Sequence, residues 1–130
     1  MVAQLADVLA PASLTPAEQR VVERLVERLP RELDPNLHAI WLYGSRARGE
    51  PPHPESDIDL MVIVDEGRSQ VGLMAIELAH EIAPTEGVGP TWFSFSVGTP
   101  EWLHGRREIR SFFIAEVDRD KLVLYGSTLE

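Results

Sequence analysis

The spacing of apolar and polar positions predicts a chain in which helices and strands alternate. A first helix is predicted to begin at Thr15, because Thr-Pro-Ala-Glu supplies an N-cap, a proline at the first helical position and a capping-box glutamate. Its apolar positions fall on one face: Val21, Val22, Leu25, Val26 and Leu29. Pro30 and the segment RELDPN that follows it are predicted to end this helix. Residues 1–14 fit no element and could form a loosely ordered N-terminal segment.

Two apolar strands are predicted next, at residues 38–43 (HAIWLY) and 57–65 (DIDLMVIVD). Beyond Asp59 the second strand is apolar on both faces, a pattern typical of a strand inside a sheet. A helix over residues 69–83 follows, with these inward positions: Val71, Met74, Leu78 and Ile82. Residues 91–97 (TWFSFSV) are predicted to form a third strand.

The C-terminal third of the chain repeats the Thr-Pro helix start at Thr99 and Pro100. A helix is predicted to continue over residues 106–117, with these apolar residues on its inner side: Ile109, Phe112, Phe113 and Val117. Residues 121–126 (KLVLYG) fit either a short edge strand or a docked tail. The whole pattern predicts a single α/β (α+β) domain over residues 1–130, with a small mixed β-sheet and helices mainly on one face.

The composition excludes several classes of protein. The 130 residues are 44% apolar and 25% charged, which is ordinary for a soluble globular domain. Disulfides and thiolate metal sites are excluded because the chain has no cysteine. No apolar run is as long as a membrane span and the N-terminus has no signal-peptide pattern, so we expect a cytoplasmic protein. The net charge of −9 argues against broad nucleic-acid binding.

Asp57 and Asp59 are expected to share one face of the second strand, because successive side chains of a strand alternate. Two carboxylates about 4 Å apart repel each other by about 4 kcal/mol at an effective dielectric constant of about 20. The repulsion can be relieved by protonating one group, by pairing both with arginine or by binding a divalent cation. Oxygen ligands without cysteine favour Mg²⁺ or Mn²⁺, and Mg²⁺ commonly completes its shell with water and substrate phosphate.

Gly44 and Ser45 follow the first strand and are predicted to open a short helix through SRARG. Glycine lets the backbone approach a ligand, and helix-start amides with a serine hydroxyl can bind an anion. Phosphates on this turn and a metal on the aspartates would be the two ends of one nucleoside triphosphate. Arg46 and Arg48 could contact phosphate oxygens, or one of them could form an internal ion pair with Asp57, Asp59 or Glu50. The two interpretations are equally favoured for Arg46, and the internal pair is favoured for Arg48.

A strand ending in Gly-Ser, eleven further residues and then Asp-Ile-Asp-Leu resembles the signature of the DNA polymerase beta-like nucleotidyltransferase superfamily. GSRARG and SDIDL in so short a chain most resemble its minimal nucleotidyltransferases (MNT type). The resemblance implies a nucleotidyltransferase-like fold and a magnesium-dependent enzyme. Such an enzyme transfers a nucleoside monophosphate from a nucleoside triphosphate, with ATP the expected donor, to an acceptor hydroxyl that could be on a protein.

The resemblance also implies roles for individual residues. Asp57 and Asp59 would hold the metal and serve catalysis, and Gly44 and Ser45 would contact the terminal phosphates. Proteins of the minimal branch often pair with a helical HEPN-family protein as antitoxin and toxin. A HEPN-type partner is therefore one expectation, and a homodimer is the other arrangement that the sequence leaves open.

The strand after the two aspartates lacks the third carboxylate that members of the superfamily usually carry. The best candidates for that position in TWFSFSV are Ser94 and Ser96, and serine neither holds magnesium strongly nor acts as a base near neutral pH. Glu86 and Glu101 are the nearest acids, and either could substitute. The alternative function is therefore a catalytically weak or inactive nucleotide-binding or regulatory domain that acts as an antitoxin-like partner.

The remaining candidates have a structural interpretation that is favoured over a functional one. Trp92 and Phe93 fit strand packing better than base stacking. His53 is expected to be an exposed loop residue, although its place between the two motifs would also let it flank the site. A basic cluster near a helix start fits a solvated face better than a partner or acceptor site: Arg106, Arg107 and Arg110.

Overall fold

The computed structural model describes residues 2–52 and 56–130, with side chains from residue 5 onward. The helices and strands in chain order are α1 (Val2–Leu9), α2 (Pro16–Leu33), β1 (Leu37–Tyr43), β2 (Ile58–Val64), α3 (Arg68–Ile82), β3 (Phe93–Gly98), α4 (Pro100–Glu108), α5 (Phe112–Asp120) and β4 (Leu122–Gly126). Two short 3₁₀ turns, Ala83–Glu86 and Pro90–Trp92, connect α3 to β3.

β1 and β2 lie at the centre of the sheet, whose four strands within the described residues have the order β3-β2-β1-β4. β1 is antiparallel to β2 and to β4, whereas β2 is parallel to β3. The prediction of a mixed sheet is confirmed, and the strand with two apolar faces is central. Residues 122–126 form the edge strand β4, so the edge-strand interpretation of residues 121–126 is confirmed and the docked-tail interpretation is wrong.

The two faces of the sheet bury separate cores. On one face, Ile40 and Leu60 belong to a core that also contains residues of α1, α2 and α3. On the other face, Trp41 and Met61 pack with residues of α4 and α5, including Leu103. The helices therefore lie mainly on one face, as predicted. The second face is the one onto which Asp59 projects, because strand residues alternate and Asp59 is two residues before Met61.

Two parts of the N-terminal half differ from the sequence prediction. Residues 1–14, for which no element was predicted, include α1, and its Leu5 and Leu9 are buried in the first core. The capping box at Thr15 is confirmed, and α2 ends at Leu33 within the predicted segment RELDPN, but the helix continues through Pro30, which was not expected. The apolar stripe extends to Leu33, which is buried, and its burial offsets the single helical hydrogen bond that proline cannot donate.

The predicted helix over residues 106–117 is wrong, because the structure divides it into α4 and α5. Arg110 adopts a left-handed conformation, with φ of 56°, and Ser111 caps α5 with its side chain. This break turns three of the four predicted inner residues outward: Ile109, Phe112 and Phe113 are 68%, 90% and 42% exposed. Val117 alone of the four is fully buried.

No helix in residues 2–52 and 56–130 is long and apolar enough to cross a membrane.

We expect Pro30→Ala to stabilise the protein, because alanine restores an N–H group to a helix that continues past this position. Proline costs about 3 kcal/mol relative to alanine in a helix interior, and part of the gain is lost with the packing of the ring, so an increase of at least about 1 kcal/mol in the free energy of unfolding is expected. Urea denaturation measures it. Pro100→Ala, at the first position of α4, is the control and should give no gain. Unchanged or lower stability in Pro30→Ala would contradict this account of α2.

Candidate active site

The two aspartates lie where β2 begins, at one end of the sheet. Asp59 is paired with Tyr43 on the antiparallel neighbour β1 and with Ser94 on the parallel neighbour β3. Asp57 comes directly before the strand and is exposed, whereas Asp59 is partly buried. The carboxylates are close enough for the charge of Asp57 to act on Asp59.

The Gly44–Ser45 turn follows β1 and lies directly against Asp59. The predicted short helix through SRARG is wrong, because residues 45–49 form turns. Gly44 has a φ of 83°, a conformation that favours glycine. A Cβ atom at Gly44 would collide with the Oδ2 atom of Asp59. The turn and the carboxylate therefore occupy neighbouring space only because residue 44 has no side chain.

Asp59 carries an unfavourable charge. Burial, and to a smaller extent the nearby charge of Asp57, together raise the pKa of Asp59 to about 6. Among the described residues, no arginine, lysine or histidine lies within ion-pair distance of Asp57 or Asp59. Within this part of the chain, arginine therefore does not relieve the repulsion between the two carboxylates. Protonation of one group and binding of a divalent cation remain.

A cavity of about 290 Å³ opens beside Asp59. Four residues predicted from the sequence contribute to its wall: Gly44, Ser45, Arg48 and Asp59. Tyr43 completes the β-sheet side, and its hydroxyl is 3.0 Å from the Oγ atom of Ser96. The cavity therefore brings the Gly-Ser turn and one of the two aspartates together, and its size can accommodate a polyphosphate chain.

Helix α5 forms the opposite wall of the cavity, and sequence reasoning missed its contribution. Phe113, Glu116 and Asp120 line the cavity together with the buried Val117. These four residues follow the spacing of one helical face, which is the signal that could have identified them. That signal was obscured because residues 106–117 were interpreted as one helix with Phe113 in the core.

The two arginines of the GSRARG segment have different surroundings. Arg48 lines the cavity, and it bonds to Glu50 at 2.7 Å and to Asp120 at 2.6 Å. Arg46 is only 5% exposed, does not line the cavity, and forms an ion pair with Glu18 at 2.8 Å. The ion pair of Arg48 with Glu50 is one that the sequence left open, whereas the pairing of Arg46 with Glu18 was not predicted.

The third carboxylate of the superfamily pattern has no substitute at the predicted places. Glu86 is paired with Arg20 and Arg24 of α2, and Glu101 is an exposed residue in the first turn of α4. Neither lines the cavity. Within the described residues, no group of three histidine, aspartate or glutamate side chains could hold a metal ion. The two aspartates are thus the metal-ligand candidates that the described part of the chain offers.

Other sequence candidates lie away from the cavity. Phe93 is buried in the first core and Trp92 is 38% exposed. Arg107 is paired with Asp118, whereas Arg106 stacks on Trp102. His53 lies outside the described residues.

A larger cleft of about 540 Å³ lies between α1, α2 and β4. Its wall is mainly apolar and includes Leu5, Val26 and Leu124, with Glu23 and Glu27 as its charged members. It contains neither the Gly-Ser turn nor the acidic pair. The smaller cavity therefore remains the candidate active site, because the chemistry of the residues matters more than the volume.

The candidate site lies within the part of the chain that a known family matches. The family model described as polymerase beta, nucleotidyltransferase, matches residues 23–86, which include β1, the Gly44–Ser45 turn and both aspartates. That match covers just under half of the chain and indicates a nucleotidyltransferase-like domain at the candidate site. The match ends before β3, α4 and α5, so the α5 wall of the cavity lies outside it. Among curated proteins, none matches this chain.

Several solved structures are similar to this chain. One is a toxin–antitoxin crystal structure with AMP-PNP, at 23% identity and a TM-score of 0.48, covering 80% of this chain and 73% of that chain. Another is the toxin–antitoxin MntA–HepT, at 20% identity and a TM-score of 0.44, covering 83% and 73%. A third is the complex of a tri-AMPylated HEPN toxin with an MNT antitoxin from Shewanella oneidensis, at 20% identity and a TM-score of 0.44, covering 83% and 72%.

We expect Asp59→Asn to stabilise the metal-free protein at pH 7.5, because the amide removes a charge that folding disfavours. A rise in pKa from 3.8 to about 6 corresponds to about 3 kcal/mol, which solvent screening of a half-buried group reduces to about 1 kcal/mol. The folded pKa is the higher one, so wild-type stability contributed by this group falls as the pH rises from about 4 to above 6. Below pH 4 the carboxyl is protonated in both states and the difference between the two proteins disappears.

Thermal denaturation from pH 4 to pH 8 in EDTA measures this difference. Asp7→Asn, on the exposed part of α1, is the control and should leave the pH profile unchanged. A variant Asp59→Asn that is no more stable than wild type at pH 7.5 would contradict the raised pKa.

Proposed function

We propose that this protein is a magnesium-dependent nucleotidyltransferase that transfers a nucleoside monophosphate from a nucleoside triphosphate, with ATP the expected donor, to an acceptor hydroxyl. The observation that carries the proposal is the contact of the Gly44–Ser45 turn with the half-buried carboxylate of Asp59, which has no ion-pair partner among the described residues, beside a cavity of about 290 Å³. The match of residues 23–86 to the nucleotidyltransferase family model supports the reaction class.

The residues present fit a divalent cation. Asp57 and Asp59 supply oxygen donors only, their mutual repulsion favours a cation between them, and a magnesium ion needs one or two carboxylates beside water and phosphate. When bound, the metal neutralises charge that develops on the transferring phosphoryl group and on the leaving pyrophosphate. Mn²⁺ suits the same donor set.

The protein residues bind and orient the nucleotide. The backbone N–H groups of the Gly44–Ser45 turn and the Ser45 hydroxyl would donate hydrogen bonds to the terminal phosphates. Arg48 lines the same cavity and can offer N–H groups to phosphate oxygens once its bonds to Glu50 or Asp120 are exchanged. The nucleotide is thereby placed with its phosphates between the turn and the acidic pair.

The transfer step forms a bond from the acceptor oxygen to the α-phosphorus and breaks the bond from that phosphorus to the bridging oxygen, so pyrophosphate leaves. The acceptor hydroxyl must lose a proton. Ser94 and Ser96, which stand on the strand beside Asp59, are too weakly basic near neutral pH to take it. Glu116 and Asp120 of α5 also line the cavity, but Asp120 is paired with Arg48 and Arg119, and neither forms a three-carboxylate group with Asp57 and Asp59 among the described residues. We propose that the base comes from the acceptor, which predicts slow transfer to simple hydroxyl compounds and faster transfer to the natural acceptor.

We expect Asp57→Asn to bind ATP without magnesium dependence and to transfer no label, because one of the two metal ligands is lost. Calorimetric titration of ATP with and without MgCl₂, followed by incubation with ATP labelled at the α-phosphate in cell extract, measures both. Asp65→Asn, at the other end of β2, is the matched control and should behave like wild type. Equal ATP affinity with and without magnesium in the wild type would overturn the metal-dependent function.

A partner-binding role is the second candidate function, and the α4–α5 corner favours it. Ile109 and Phe112 expose large apolar surfaces there, next to Phe113, which also lines the cavity. Arg106 and Arg110 have no carboxylate partner within ion-pair distance among the described residues, although most other basic side chains do. We propose that this corner receives an acidic surface of a helical HEPN-type protein, with a second copy of the chain as the competing occupant.

We expect Phe112→Ser to weaken association with a HEPN-type protein encoded beside this one by at least about tenfold, since aromatic residues commonly dominate interface energies. Leu73→Ser, which changes a 60% exposed residue on the opposite side of the sheet, is the control and should have no effect. Sedimentation of each variant alone and mixed with the partner measures both possibilities. Loss of self-association in Phe112→Ser would assign the corner to a homodimer, and no loss of either kind would contradict the docking role.

A further inference from the structure

We propose that Arg46 is a positioning residue that fixes the acidic end of β2 against the Gly44–Ser45 turn, and that it does not bind the nucleotide. The inference rests on the proposed function for what the acidic pair does, but its contacts stand independently. It gives Arg46 a different part from Arg48, two residues further along the chain.

The guanidinium group of Arg46 has no donor left for a ligand. Its Nε–H donates to the Oγ atom of Ser56 at 3.2 Å, and Nη1 donates to the carbonyl of Ser13 and to Oε1 of Glu18 at 3.0 and 2.8 Å. Nη2 donates to Oε2 of Glu18 at 3.3 Å and to the carbonyl of Ser56 at 3.4 Å. An arginine has five N–H bonds, so these five contacts use its donor capacity.

These contacts join three segments that are distant in sequence. Ser13 and Glu18 belong to the entry of α2, Arg46 to the turn after β1, and Ser56 to the approach to β2. The carbonyl of Arg46 also accepts a hydrogen bond from the N–H of Ser13 at 2.9 Å, so the first two segments are joined in both directions. Because the next residue after Ser56 is Asp57, the guanidinium group fixes the point at which the acidic pair begins.

Ser56 is held inward, although the described residues before and after it are exposed. Pro51 and Pro52 have no backbone N–H groups and cannot join the sheet through them. Ser56 is buried, unlike Pro51, Pro52 and Asp57, which are exposed. The approach to the metal-binding residues is therefore held inward at Ser56.

Glu18 is the charged partner that keeps a buried cation in place. It completes the capping box of α2 by accepting from the N–H of Thr15 at 2.9 Å, and the same carboxylate binds both terminal nitrogens of Arg46. One carboxylate thereby joins the start of α2 to the active-site turn. A buried pair of this kind serves position more than stability, because desolvation cancels much of its attraction.

Arg46→Lys tests the proposal, since lysine keeps the charge but cannot span Glu18 and Ser56 with a planar fork. Mn²⁺ binding with a non-hydrolysable ATP analogue is followed by electron paramagnetic resonance, beside metal-free nucleotide binding and thermal denaturation. We expect the Mn²⁺ half-saturation concentration to rise about tenfold, with metal-free nucleotide affinity unchanged and activity restored at saturating metal. Glu18→Gln, which retains the capping oxygen, should shift half-saturation in the same direction.

Glu81→Gln is the matched control, because Glu81 also pairs with an arginine, Arg28 of α2, but lies remote from the cavity. It should leave Mn²⁺ binding unchanged. Ser56→Ala replaces Arg46→Lys if that variant does not fold, and it should raise the half-saturation concentration less. Unchanged metal affinity in every folded variant, or a loss of metal-free nucleotide affinity in Arg46→Lys, would overturn the proposal.

Amide nitrogen NMR shifts separate this inference from the proposed function. If the wild type binds no metal-nucleotide, the proposed function fails, but Arg46→Lys should still shift the amide signals of residues 44, 45 and 57–59 and leave those of α3 in place. Unshifted signals at residues 57–59 would overturn the positioning role whatever the wild type binds.

Discussion

The approach of the Asp59 carboxylate to the backbone of Gly44 is the constraint on which the site depends. β1 and β2 are antiparallel neighbours, so the end of one strand and the start of the other meet at the same edge of the sheet. A side chain at residue 44 would collide with the carboxylate, and a shift of β2 by one residue would turn its aspartate to the opposite face. The apolar packing of both strands fixes their register, and that register places the acidic group beside the turn.

The same burial that fixes β2 also makes its first residues electrostatically costly. Asp59 loses hydration where the strand enters the core, and Asp57 adds repulsion from a position that stays in water. Only the start of β2 is destabilised in this way, so the packing of the rest of the fold can compensate for it. A cation bound at that end would remove the repulsion between the carboxylates, so the free energy lost on folding would favour binding of the cation.

The parts that could be predicted from the sequence are those that depend on short-range patterns. The capping box at Thr15, the central position of β2 and the Gly44–Ser45 turn each follow from a few neighbouring residues. The break at Arg110 could not be read from apolar spacing, because Phe112 and Phe113 continue a helical pattern while Ser111 caps a new helix. The contribution of α5 to the cavity was lost with it.

Contacts between residues that are far apart in sequence could not be predicted either. Glu18 and Arg46 are 28 residues apart, and nothing in the local pattern says that the capping-box glutamate of one helix binds the arginine of a later turn. Two arginines in one short motif could be expected to share a role, but Arg46 is buried whereas Arg48 lines the cavity. Local spacing assigns a residue to a motif, whereas burial decides what its charge can reach.

The lack of an acid on β3 and the exposed α4–α5 corner are best understood together. β3 presents Ser94 beside Asp59, and Ser96 is engaged with the Tyr43 hydroxyl, so β3 can orient groups but cannot remove a proton. Phe113 is shared by the cavity and by the exposed corner. A macromolecule seated on the corner would therefore reach the cavity without crossing any other wall. An acceptor that brings both its hydroxyl and its own base to that place would complete chemistry that the described residues supply only in part.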